Sequence, residues 1–459
     1  MAGPRPGSAP GHRRSGRSGR PHPHPGALGG VAGRSRRPAA ARRPGRPSRR
    51  GGRAHVTRPG APHTPTVLLY AQDHQGLGHI TRTLTIARCV LAAYPTFVAY
   101  IATKSPVAGN FTLPERCDYI KLPTLLCAEG VERSPAEEEA AKQRIRTIRG
   151  QILRAAALGL APDLVLVDHE PLGAKGEFRE GLYALKAQCP GTKFVFGLRD
   201  IMDDVGRIQG QWRALGVYDA LEHLYDGIAV YGSPSLYDVA EAYAIPASVQ
   251  PKLHYCGYVV RDPPAVDRSA LRQELGLPPS GPLIVATVGS GSDGYPVLEA
   301  VQAAVERLRA LVPELHTVMV TGPFMPAEQQ AVLQARATAT CRVMSQADNF
   351  RLMAAADAVV SMGGYNSVCE ALAVARPLVI VPRATHKVEQ QIRAETLASR
   401  GLARWVHPKD LSGPRLVEAL RWAVSCDRRA HEERVHEVIP SFDGAARLVT
   451  YLARWLGGD

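Results

Sequence analysis

Two series of short apolar segments, each alternating with longer stretches of helical period, constrain this chain more than any other feature. "TVLLYA" (66–71), "FVAYIA" (97–102), "DLVLVD" (163–168) and "KFVFGL" (193–198) have no polar face. Strands apolar on both faces belong in a parallel sheet covered by helices on either side. The pattern then repeats in "PLIVATVG" (282–289), "HTVMVTG" (316–322), "DAVVSM" (357–362) and "PLVIVP" (377–382). Segments such as 80–93 and 135–158 carry the helical period between strands. An α/β protein of two doubly wound, Rossmann-like domains facing a cleft is expected, joined near Pro251 to Pro264. The 459 residues are too many for one core. A proline-rich stretch and a charged helix start divide the two strand series.

Charge divides the chain differently. The formal net charge is +14, yet residues 1–60 hold 15 arginines and no acidic residue, and the first acid is Asp73. Removing those 15 from the 56 basic residues leaves 41 against 42 acids. The folded part is therefore nearly neutral, and nucleic acid is not expected as its partner. Residues 1–63 are rich in Arg, Pro, Gly and Ser and are read as a disordered tail, because they bury too little apolar surface to offset ordering entropy. An arm for anionic lipid or nucleic acid, or translated upstream sequence, are the competing accounts. No apolar h-region follows the arginines, so no signal peptide is expected, and no run of 18 apolar residues suggests a membrane span. The eight cysteines lack C-x-x-C spacing, which points to reduced thiols, a cytoplasmic protein and no zinc site. The expected domains are 1–63, 64–255 and 256–459.

Ligands of such sheets bind at the loops beyond the carboxyl ends of the strands. Three of these loops are glycine-rich and lead into helices: "QDHQGLGHITR" after 66–71, "GSGSDG" after 282–289 and "GGYNS" after 357–362. Backbone amides and a positive helix end at such loops receive anions. Three of them in two domains point to a phosphorylated ligand in the cleft.

The block "DNFRLMAAADAVVSMGGYNSVCEALAVARPLVIVPRATHKVEQQIRAETLASRGLA" (348–403) resembles the donor-binding domain of inverting glycosyltransferases with the GT-B fold, most closely family 28. That family includes the transferase that adds N-acetylglucosamine to the lipid-linked peptidoglycan precursor. The likeness implies a nucleotide-sugar site formed by Gly363, Gly364, Asn366 and Ser367 of the turn with Glu370 on the next helix. "GSGSDG" is similar to the family's diphosphate loop, which implies donor contacts from Gly289, Ser290, Gly291 and Ser292. "CGYVVRD" (256–262) looks like its interdomain Gly-x-x-x-Arg segment, and "QGLGHITR" like its first glycine loop. Glu389 and Gln390 stand where the family has a pair bonding the donor sugar. Arg393 departs from the usual asparagine and leaves the sugar open.

The chemistry of these residues is coherent. Glu370 can accept both hydroxyls of a ribose, and Arg261 fits two phosphate oxygens or forms an interdomain salt bridge. No D-x-D pair occurs, so no metal or cofactor is expected; amides, a helix end and Arg261 would stabilise the departing diphosphate. An inverting transfer needs a base. His79 opens the first helix, and histidine titrates near neutrality; Asp168, in "DHEP", is either the base or the group that orients His79. Asp73 and His74 follow as candidates. The expected function is metal-independent, inverting transfer of a hexose from a nucleotide-diphosphate sugar, with UDP first among nucleotides. The acceptor would be a lipid-linked or small-molecule hydroxyl, with peripheral contact at an anionic membrane surface. A UDP-sugar 2-epimerase of the same fold, a nucleotide-sugar sensor without turnover, and a nucleic-acid-binding protein led by the arginine tail stay open.

Overall fold

The computed structural model describes residues 63–72, 78–126, 132–383 and 388–457. The tail expected over 1–63 falls outside these except for His63, as do Asp73 and His74. Residues Pro62–Asp459 form one compact unit containing two parallel sheets.

The first sheet comprises β1 (Thr66–Ala71), β2 (Val98–Thr103), β3 (Cys117–Lys121), β4 (Leu164–Asp168), β5 (Lys193–Arg199), β6 (Gly227–Tyr231) and β7 (Leu253–Tyr255). Their order is β3-β2-β1-β4-β5-β6-β7. The second comprises β8 (Leu283–Thr287), β9 (His316–Val320), β10 (Cys341–Met344), β11 (Ala358–Ser361), β12 (Leu378–Ile380) and β13 (Ala403–Trp405), in the order β10-β9-β8-β11-β12-β13. Both are doubly wound, with the strand order reversing between β1 and β4 and between β8 and β11. At such a reversal, neighbouring connections run to opposite faces and open a crevice at the strand ends.

The central strands are buried along their whole length, as their two-sided apolar patterns require. Register places Leu69 beside Leu166 and Tyr70 beside Val167, so β4 ends at Asp168 next to the loop leaving β1. The helix Gly78–Ala93 follows that loop and buries Ile80, Leu84, Ala87 and Leu91 at helical spacing.

The chain returns to the first lobe at its end. The helix Gly444–Leu456 packs on the helix Gly78–Ala93. Tyr451 stacks on His254 with ring centroids 4.3 Å apart and donates to Lys252 O at 3.1 Å. Among the described residues no helix is long and apolar enough to cross a membrane.

Candidate active site

At the end of β4 the carboxylate of Asp168 is fully buried and meets two residues of the first helix. His79 Nδ1 donates to Oδ2 at 2.7 Å, while Arg82 donates from Nε to Oδ1 at 3.0 Å and from Nη2 to Oδ2 at 2.6 Å. His79 and Arg82 lie one turn apart, which puts both side chains on one face of the helix. Burial alone would raise the pKa of Asp168; the Arg82 charge and the His79 bond outweigh it and hold the carboxyl at about 2. Arg82 is itself buried, and its pairing with Asp168 raises its pKa against the opposing effect of desolvation. Arg82 Nη2 also lies 2.9 Å from His79 Nδ1; in the neutral tautomer that donates from Nδ1 to the carboxylate, Nε2 is the accepting nitrogen. The Asp168 side chain is fully buried, in contact with both His79 and Arg82.

Beside this pair lies a residue that the sequence patterns do not single out. His169 has φ +68°, is buried, and its ring centroid is 4.8 Å from that of His79.

At its two glycine-rich loops the second lobe presents backbone. Gly363 has φ +83°, receives an N–H from Arg393 Nη1 on its carbonyl at 2.7 Å, and donates to Ser361 Oγ at 3.2 Å. Gly364 caps the helix Tyr365–Ala373, where Ser367 is half-buried. After β8, Gly291 has φ +91°, and a Cβ there would lie 2.0 Å from Thr321 O. Only glycine permits both that backbone conformation and that approach. Gly291 N donates to Val288 O at 3.3 Å, Gly289 has φ +65°, and Ser290 O accepts from Phe324 N at 2.8 Å. Arg383, at the end of β12, donates to Asp293 of the "GSGSDG" loop at 2.8 Å. Ser292 lies between these residues.

Glu370, one turn into the helix, accepts from Arg261 Nε at 3.1 Å. Arg261 also pairs with Asp348 and lies over the ring of Phe350. Burial raises the pKa of Glu370, and Arg261 partly offsets it. Arg261 thus reaches carboxylates of the second lobe. Thr81, Arg82, Val259, Arg261, Asn366 and Glu370 line a cleft of about 230 Å³ between the lobes.

Several contacts close the lobes on one another. Asn366 Nδ2 donates to Gly78 O at 3.1 Å, joining the turn to the start of the first helix. Glu389 pairs with Arg199 at the end of β5, and Asp203 Oδ1 accepts from Val388 N at 3.0 Å. Gln390 is buried and accepts from Arg383 N at 2.9 Å. Arg393 is buried and also donates to Ile201 O in the first lobe at 3.2 Å. An apolar pocket lies on the opposite face of the helix Tyr365–Ala373, lined by Val368, Cys369 and Leu372. Its acid, Asp200, is satisfied by Tyr258 OH and Ile201 N, so it offers no reacting group.

Sequence patterns alone miss Arg82, Arg199, Tyr365 and the bridging role of Arg393. Their partners lie more than 80 residues away or in the other lobe. The one available signal is the i, i+3 spacing of His79 and Arg82 beside a glycine loop.

Solved structures share this architecture. The kitacinnamycin glycotransferase superposes with a TM-score of 0.61 at 19% identity, over 86% of this chain and 100% of that one. The calicheamicin glycosyltransferase CalG4 gives 0.60 at 18% identity, over 86% and 98%. The fold is that of the GT-B glycosyltransferases. Residues 284–443, within the second lobe, match the model of the glycosyltransferase family 28 C-terminal domain. An uncharacterized glycosyltransferase of Methanopyrus kandleri is 24% identical over 49% of this chain and 62% of its own length. The UDP-N-acetylglucosamine–N-acetylmuramyl-(pentapeptide) pyrophosphoryl-undecaprenol N-acetylglucosamine transferase of Nocardia farcinica is 32% identical over 38% of this chain and 46% of its own. The chain thus spans less than two thirds of either relative.

Proposed function

We propose that this protein transfers a sugar from a nucleoside diphosphate sugar, with UDP as the nucleotide, to an acceptor hydroxyl with inversion at the anomeric carbon. The observation that carries this reading is His79, hydrogen-bonded to the buried Asp168 and next in sequence to Gly78, whose carbonyl accepts from Asn366 of the lobe that matches the family 28 C-terminal domain. His79 Nε2 takes the proton of the acceptor hydroxyl. The oxygen then attacks the anomeric carbon, and the bond from that carbon to the diphosphate oxygen breaks. Asp168 holds the ring and stabilises the imidazolium that forms.

In the donor site Glu370 accepts the ribose hydroxyls, oriented by Arg261 on its other side. The diphosphate lies against the "GGYNS" turn and the "GSGSDG" loop, whose amides and helix end supply the positive field in place of a metal. Glu389 and Gln390 face the sugar, with Arg199 setting the position of Glu389. The acceptor is a small-molecule or lipid-linked hydroxyl, as the name of the Nocardia relative suggests. Work at a cytoplasmic membrane face would follow from the latter.

A thermal-shift panel of UDP-glucose, UDP-N-acetylglucosamine, TDP-glucose and GDP-mannose tests the reading, since a ligand of the native state raises apparent stability. Stabilisation by at least one, followed by acceptor-dependent release of its diphosphate in the presence of EDTA, supports it. No stabilisation by any of the four counts against it. Conversion of the donor without an acceptor favours the epimerase.

A further inference from the structure

Tyr365 starts the helix behind the donor turn, and its buried ring lies between two guanidinium groups. Arg82 Cζ is 5.2 Å from the ring centroid and Arg393 Cζ is 5.9 Å. The Tyr365 hydroxyl donates to Tyr231 O of the first lobe at 3.2 Å and accepts from Val259 N of the connecting segment at 3.2 Å. Arg82 also lies over the ring of Tyr231, at 5.6 Å, and spends its Nε and Nη2 donors on Asp168. Arg393 ties the turn, through Gly363 O, to Ile201 O of the first lobe. A continuous buried chain therefore runs from the donor turn to the carboxylate that holds His79.

Such a chain transmits position. A desolvated guanidinium over an aromatic face is held by attraction to the ring quadrupole, and Arg82 has one such face from each lobe. When the turn shifts, the Tyr365 face leaves Arg82, and the donors that align Asp168 lose one side of their support. Misplacing a catalytic group by about 1 Å can cost a hundredfold in rate.

We propose that Tyr365 and Arg82 are positioning residues that make the alignment of the His79–Asp168 pair depend on the seating of the donor turn against the first lobe. The base is then ordered when the turn that receives the nucleotide sugar is in place. This rests on His79 being the base, as argued above. It adds a physical link between two sites that are more than 280 residues apart in sequence, as the Asn366 to Gly78 bond illustrates.

Removing Arg82 would leave the buried Asp168 charge without its guanidinium partner and endanger the fold, so the test uses Tyr365. Tyr365→Leu removes the aromatic face, and Tyr365→Phe removes only the hydroxyl that joins the lobes. Each is made in the wild-type and His79→Ala backgrounds. Turnover is measured with the panel sugar nucleotide that stabilises the protein most, and binding with its free nucleoside diphosphate. The expected result is a kcat fall of about tenfold or more for Leu and about threefold for Phe, with diphosphate affinity within about 1.5-fold of wild type for both. Neither change should lower the residual rate of His79→Ala, because residues that act through one group are not additive. Equal losses in both backgrounds, or affinity falling as far as kcat, would overturn the coupling. Should circular dichroism show the Leu variant unfolded, the Phe variant decides the same comparison. Full turnover by His79→Ala overturns the base assignment itself, and the coupling with it.

Discussion

Strands β1 and β4 of the first lobe and β8 and β11 of the second occupy the same place in their sheets, at the reversal of strand order. What stands at their carboxyl ends differs in kind. The first lobe gathers charged and titratable groups: His79, Arg82, Asp168 and His169, with Arg199 and Asp200 beyond β5. The second gathers glycines in the left-handed region, with φ values of +65° at Gly289, +91° at Gly291, +82° at Gly322 and +83° at Gly363. One winding thus supports two chemistries. Proton transfer needs side chains of definite pKa held by neighbours, whereas an anionic donor needs close approach to amides, which side chains would block.

If the second lobe works through backbone, its most damaging change is a methyl group. Gly291→Ala places a Cβ on Thr321 O in a conformation alanine resists, and should cost about 3–4 kcal/mol of stability. Chemical denaturation monitored in the two lobes would register it; unchanged stability would mean that the loop relaxes freely and the contrast is weaker than drawn. If the first lobe works through a side chain, His79→Ala should lower kcat by about a hundredfold or more while nucleotide affinity stays within about threefold. Calorimetry and steady-state kinetics on the same preparation separate the two.

Asp168 sharpens the contrast through pH. Its folded pKa of about 2 lies below the ordinary carboxylate value of about 3.9. Its contribution is therefore complete above about pH 4 and disappears as pH falls through 2, at about 2–3 kcal/mol for a fully buried group. Urea midpoints measured from pH 6 to 2 should show this component in the wild type and not in Asp168→Asn. Glu370 has the opposite shift, since burial favours its neutral form. Glu370→Gln keeps the shape and removes the charge, so a charge-assisted bond to ribose becomes an ordinary one. Affinity for the sugar nucleotide should fall by about 1–2 kcal/mol with little effect on folding. Equal binding by this variant would move the ribose elsewhere.

How far the sequence reaches can be read strand by strand. The four segments recognised in each series are the central ones, β2-β1-β4-β5 and β9-β8-β11-β12. Apart from β6, the missed strands are outer ones: β3, β7, β10 and β13 have mixed or half-buried faces and no two-sided apolar run to betray them. Strand β6 is buried, but it opens on Gly227, where a Cβ would lie 2.4 Å from Tyr451 OH and 2.5 Å from the Trp455 ring of the returning C-terminal helix. That glycine answers to a contact made by the far end of the chain, which no local pattern reports.

The site divides in the same way. Periodicity and glycine spacing by themselves determined two doubly wound lobes, the loops at the strand ends, and His79, Asp168 and Gly363 as groups to examine, because each signal is local to a strand, a turn or a helix start; Glu370 is singled out by the resemblance to family 28. Only tertiary structure decided which groups hold them. The burial of Asp168 and its pairing with Arg82, and the tie of Glu389 to Arg199 across the lobes, appear only in the folded chain. Arg393 reads as a substitution in the sequence and proves to be a bridge between Gly363 and Ile201. Hydrogen bonds and ion pairs depend on distance in space, and folding sets that distance across the 30 to 192 residues that separate these partners.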